Sequence, residues 1–152
     1  AELQHALQID PRSTEALFNL ALLYLDDGRL EDAMEALIEA HALAPQDAGI
    51  LYYSGVLALR QGRYADTAEI FTEYTRLMPD DARGHYHLGV GHLRLGRLGD
   101  ALRSLQRAVT IDPAHQRAHY YLGVVLDRQG LKHEARLAYQ AADRLDRGSS
   151  TD

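Results

Sequence analysis

Four prolines, Pro11, Pro45, Pro79 and Pro113, stand 34 residues apart, and four glycines, Gly28, Gly62, Gly96 and Gly130, keep the same interval without an insertion. A chain punctuated so evenly repeats one local unit, and a period of this length is the sign of an array whose units bury their apolar faces on each other. Ala82 to His115 shows the unit best. Leu88 and Leu95, then Leu98, Leu102, Leu105 and Val109, fall at three-, four- and seven-residue spacings, which place them along helix faces. The unit therefore reads as two helices. Gly96 can end the first in a left-handed conformation, Asp100 complements the positive end of the second, and Pro113, lacking a backbone donor, stops it.

The same pattern recurs as Leu20-Ala21, Ser54-Gly55, Leu88-Gly89 and Leu122-Gly123. A small residue opens the second helix at Ala33, Thr67, Ala101 and Ala135, followed by Leu37, Phe71, Leu105 and Tyr139 and then Ala40, Tyr74, Ala108 and Ala142. On these residues the chain resembles the tetratricopeptide repeat family. The resemblance implies an all-α fold, a right-handed superhelical solenoid of antiparallel helix pairs. It divides the chain into the second helix of a truncated repeat (1–13), four repeats (14–47, 48–81, 82–115 and 116–147) and a disordered polar tail (148–152). Leu3, Ala6, Leu7 and Ile9 align with Leu37, Ala40, His41 and Leu43, so the chain is expected to be a segment of something longer. Its opening helix should dock near Thr14.

Repeat two departs from the pattern at Thr67 and Tyr74, where alanine is usual. Running its second helix antiparallel to the next first helix sets Tyr74 opposite Gly84 and Thr67 opposite Gly91. Overpacking of a core costs about 1–3 kcal/mol unless something yields. Large residues are expected to be offset by small ones at this interface.

With 46% hydrophobic and 25% charged residues the composition is that of an ordinary globular protein. The absence of cysteine excludes disulfides and thiolate metal sites and leaves the compartment open, with the cytoplasm favoured. No apolar run approaches the ~18 residues of a membrane span. The net charge of −6 conceals an asymmetry: residues 1–81 carry 5 basic against 15 acidic side chains, residues 82–152 carry 11 against 7. Opposite charges and exposed ends raise the alternative of a structural array that self-associates or stacks on the rest of its parent chain.

In the family, first helices line the concave groove and carry the ligand. The resemblance assigns that groove to columns spaced 34 apart: Phe18, Tyr52, Tyr86 and Tyr120, and beside them Asn19, Tyr53, His87 and Tyr121. Leu22, Val56, Val90 and Val124 come one turn on, then Arg60, Arg94 and Arg128, with Arg83 and Arg117 at the edge. An apolar, aromatic floor edged by guanidinium suits a peptide or helix with apolar anchors and at least one acidic group. Capture of a heat-shock chaperone's C-terminal carboxylates, a known family mode, needs Lys, Arg and Asn. The corresponding places hold Phe18, Leu22, Tyr53, Arg83 and His87, or Tyr52, Val56, His87, Arg117 and Tyr121, so only the arginines fit.

No cofactor, metal or catalytic group is expected. His85, His87 and His92 place no two imidazoles of one helix at i, i+4, and His115, four before His119, falls outside the repeat that begins at Gln116; His85 and His119 align with Leu17 and Leu51, against the core of their helix pair. No phosphate loop or nucleophile constellation is present. Overall acidity argues against nucleic acid despite the Tyr and Arg of the second half. A protein-interaction module is the expected function.

Overall fold

The computed structural model describes residues 13–149, and among them the chain is all helix. The helices are α1 Thr14–Asp26, α2 Leu30–Leu43, α3 Ala48–Arg60, α4 Tyr64–Leu77, α5 Ala82–Arg94, α6 Leu98–Ile111, α7 Gln116–Arg128 and α8 Lys132–Ser149. They fall in two compact units, Ala1–Gly62 and Arg63–Asp152. The expected docking of the opening helix lies outside the described residues.

The periodic residues act as stops and starts. Gly28, Gly62, Gly96 and Gly130 have φ between 73° and 82°. A Cβ on Gly28, Gly96 or Gly130 would meet nothing within 4 Å, so it is the left-handed backbone and not lack of space that calls for glycine there. Around Gly28 the Arg29 N–H donates to the Tyr24 carbonyl (2.8 Å) and the Gly28 N–H to that of Leu25 (3.2 Å). The pattern recurs around Gly96 and Gly130 and satisfies carbonyls left over at the helix end. At the other end, Ser13, Asp47, Asp81 and His115, again 34 apart, cap α1, α3, α5 and α7 with a side-chain acceptor.

In the first unit Leu17, Ala21, Ala33, Leu37, Ala40 and Leu57 are buried together. In the second, Phe71, Leu105 and Val125 are fully enclosed, and Gly84, Gly89, Gly91 and Gly123 mark close approaches. A Cβ on Gly84 would lie 2.5 Å from Cδ1 of Tyr74, and one on Gly91 3.2 Å from Cγ2 of Thr67. The large-for-small exchange expected from the sequence is therefore present. Tyr74, only 3% exposed, lies inside the α4/α5 contact instead of swinging out to solvent. Its hydroxyl donates to Oδ2 of Asp81 at 2.5 Å, so the one polar atom brought in with the ring is satisfied.

Two expectations are corrected. Gly148 and Ser149 belong to α8 instead of a disordered tail, and Ser149 Oγ donates to the Asp146 carbonyl at 2.7 Å. Arg147 stands where the other repeats carry proline, so nothing removes a donor and the helix runs on. His85 and His119 are half-buried, whereas Leu17 and Leu51 at the same places are buried. Each donates Nε2–H to a carbonyl six residues back, Pro79 and Pro113 respectively, at 2.8 Å. An imidazole at this position fastens the loop between repeats, a task leucine cannot perform.

Candidate functional site

In the first unit α1 and α3 bring Phe18, Tyr52 and Tyr53 together. Phe18 meets Tyr53 edge to face with centroids 5.6 Å apart, and Tyr52 meets Tyr53 likewise at 5.5 Å. Asn19, Leu22 and Val56 lie half-buried on the same helices, and Arg60 is exposed. Phe18 also reaches Gly49, whose Cβ would come within 3.5 Å of its Cζ.

In the second unit the columns separate by depth. Tyr86 and Val90 on α5 are 7% and 4% exposed, whereas Tyr120 on α7 is 48% exposed. Tyr121 and Val124 are intermediate, and Arg83, Arg94, Arg117 and Arg128 are exposed. Tyr86 is enclosed by rings: His87 at 4.9 Å, His115 at 4.8 Å and Tyr121 at 5.9 Å. His87 in turn stacks on Phe71 at 4.9 Å and 19°. Tyr86 and Val90 thus support this face from beneath, while Tyr120 and Tyr121, edge to face at 5.4 Å, present its aromatic surface.

The electrostatics sort the arginines. Arg83 grips Asp81 with both Nη2 (2.8 Å) and Nε (3.1 Å). That grip holds the Asp81 carboxyl down to about 2 against the opposing effect of burial. Arg83 is therefore committed to the α5 cap. Arg117, the other edge arginine, has no ion pair among the described residues, and neither do Arg94 and Arg128. His87 is pushed down to about 4, by burial first and then by the positive charges of His115, Arg117 and Arg83, with Asp81 opposing. It is neutral at pH 7 and serves as an aromatic plate. An unpaired cation three residues before an exposed tyrosine, and so on the same helix face, can recognise an anion flanked by apolar groups.

Sequence reasoning missed His115 as a member of this cluster, although its place in the capping column, 34 residues after Asp81, was available as a signal. Among the described residues no group of three or more His, Cys, Asp or Glu could hold a metal, and no helix is long and apolar enough to cross a membrane.

A tetratricopeptide repeat family model matches residues 34–82, 52–115 and 86–150, and a second one matches residues 1–52. The chain belongs to the tetratricopeptide repeat family. Tetratricopeptide repeat proteins are in general non-catalytic protein-interaction modules. The fold is similar to that of a MamA double mutant (RS-1 ArsTM) at TM-score 0.93 and 21% identity, covering 99% of this chain and 84% of that one. MamA from Desulfovibrio magneticus RS-1 gives TM-score 0.91 at 22% identity, over 99% and 84% of the two chains. YrrB, described as a TPR protein with an unusual peptide-binding site, gives TM-score 0.84 at 24% identity, over 97% of this chain and 76% of that one. No curated protein matches. At these identities the solved structures establish the tetratricopeptide repeat fold and leave the ligand to be argued from side chains.

Proposed function

We propose that this chain is a non-catalytic interaction module of four helix-pair repeats, and that the aromatic faces of its first helices hold a peptide or helix with apolar anchors and an acidic group. The observation that carries this reading is the second unit's exposed Tyr120, set against Tyr121 and close in sequence to the unpaired Arg117. Tyrosine and arginine are the residue types on which binding energy concentrates at protein interfaces. Arg128 extends the positive edge one helix length on, and Phe18, Tyr52, Tyr53 and Arg60 give the first unit a face of the same composition. The peptide-binding site ascribed to YrrB is in keeping with this class of ligand. Surface plasmon resonance against an immobilised library of apolar and acidic peptides tests it. Retention of the selected peptides by a Tyr120→Ala, Arg117→Glu double variant would refute it.

A second reading, self-association, is favoured by the surface of α8 and the residue just before it. Leu131 and Leu137 are 42% and 51% exposed, where earlier repeats carry Arg29, Arg63 and Arg97, or Glu35, Glu69 and Arg103. Sedimentation at rising concentration decides between them, since a strict monomer leaves only the first.

A further inference from the structure

The caps of the four repeat-opening helices differ in one chemical respect. Ser13 accepts from Ala16 N–H at 3.2 Å, Asp47 from that of Ile50 at 3.1 Å and Asp81 from that of Arg83 at 3.0 Å, all through oxygen. His115 accepts from the Ala118 N–H at 3.2 Å through the imidazole Nδ1. A hydroxyl or carboxylate keeps its lone pairs through mild acid. A protonated imidazole has none to offer, since both ring nitrogens then carry hydrogen. From this geometry we infer that His115 is a proton-operated cap: neutral, it holds the first turn of α7 and covers Tyr86, and protonated, it releases both.

The surroundings favour release. The His115 ring lies against Tyr86 of α5 at 4.8 Å, so losing its bond to Ala118 frees a ring that contributes to burying that tyrosine. Burial holds His115 below the ordinary histidine value. Asp112 in the preceding loop and a hydrogen bond with the residue's own backbone oppose this, and His119 and Arg117 of α7 add to it. His87 of α5 also interacts with His115, and itself senses Arg83 and Asp81. The positive end of the α7 dipole is a further repulsion, because a cation at a helix N-terminus is unfavourable. A histidine held low in the folded chain contributes stability that is complete above the ordinary histidine range and is lost as pH falls through the folded value. The neighbouring His119 is bonded the other way round, donating Nε2–H to the Pro113 carbonyl at 2.8 Å.

The test uses the full chain, 15N-labelled and with no peptide present, so it stands whether or not the binding reading does. Between pH 7.5 and 4.5, two-bond 1H–15N spectra report which ring nitrogen of His115 is protonated, and hydrogen exchange reports protection of the Ala118 amide. The expected result is an unprotonated Nδ1 at pH 7.5 and an Ala118 protection factor that falls roughly fivefold as His115 titrates, the loss typical of one cap. In His115→Asp, which restores the acceptor found at Asp47 and Asp81, protection stays level over the same range. A fall of equal size in the variant, or a neutral His115 with its proton on Nδ1, overturns the inference. Should the variant fail to fold, the wild-type spectra decide alone: the Ala118 amide must move with the His115 titration, and an amide that ignores it refutes the cap.

Discussion

The α4/α5 and α6/α7 contacts of the second unit are the same piece of architecture made from different residues. At the first, Tyr74 meets Gly84 and Thr67 meets Gly91. One repeat later the corresponding places hold Ala108 and Ala118, and Ala101 and Val125, all fully buried. Tyrosine with glycine replaces alanine with alanine, and threonine with glycine replaces alanine with valine. Tyr with Gly is larger than Ala with Ala, and Thr with Gly is smaller than Ala with Val, so the two differences have opposite sign and largely offset across the interface, as expected where interiors are close-packed. The exchange is not neutral in chemistry, because Tyr74 brings a hydroxyl whose acceptor is Asp81, the α5 cap. The α4/α5 contact is thereby wired to a helix terminus and made sensitive to pH.

The largest way to break this symmetry is Tyr74→Ala, which empties the ring's volume and removes the hydroxyl. Chemical denaturation should show a loss of about 3–5 kcal/mol, the range for deleting a buried aromatic. Gly84→Ala alone should cost about 1–3 kcal/mol from the clash with the ring, reduced by up to about 1 kcal/mol of helix propensity. Combining the two recreates the Ala-Ala contact of α6/α7. The double variant should be more stable than Tyr74→Ala alone, with a coupling of about 1 kcal/mol or more in a double-mutant cycle. Additive losses would mean that the two residues do not share a volume.

Smaller effects concern titration. Tyr74 is pushed up to about 12, by burial first and then by its hydrogen bond to Asp81. For an acid raised on folding, the neutral form is the stable one. Stability is complete below pH 10 and lost between about 10 and 12. Thermal melts of Tyr74→Phe should lack that alkaline limb and lie below the wild type near neutrality by the ~1.5–3 kcal/mol of a hydrogen bond to a charged group. Asp81 runs the other way. Depressed from 3.8 to about 2, it contributes stability above pH 3.8 that disappears as pH falls through about 2. Asp81→Asn should flatten that part of the acid unfolding curve, and an unchanged curve would place the Arg83 grip in solvent.

The comparison also indicates what a sequence can reveal. Helix breaks were legible because glycine and proline act through their own backbones, and the Tyr74–Gly84 exchange was legible because antiparallel helices fix which residues face each other. Depth within the candidate site was not. Tyr86 and Tyr120 occupy one column, yet the first is buried by His115, the last residue of its own repeat, and by Tyr121 of the next, and the second is open. Alignment within a column cannot register what an adjacent repeat lays over it. Nor could it register that His85 and His119, aligned with core leucines, would turn a nitrogen to the proline carbonyls.

Selection of a random peptide library on the full chain, repeated on Tyr120→Ala, Arg117→Glu, tests the binding account most directly. The account predicts enriched peptides that place an apolar anchor near an aspartate or glutamate, and a Kd raised at least about 30-fold in the variant, as for loss of one interface hot spot. Enrichment of peptides without an acidic residue, or equal affinity for both chains, would contradict it.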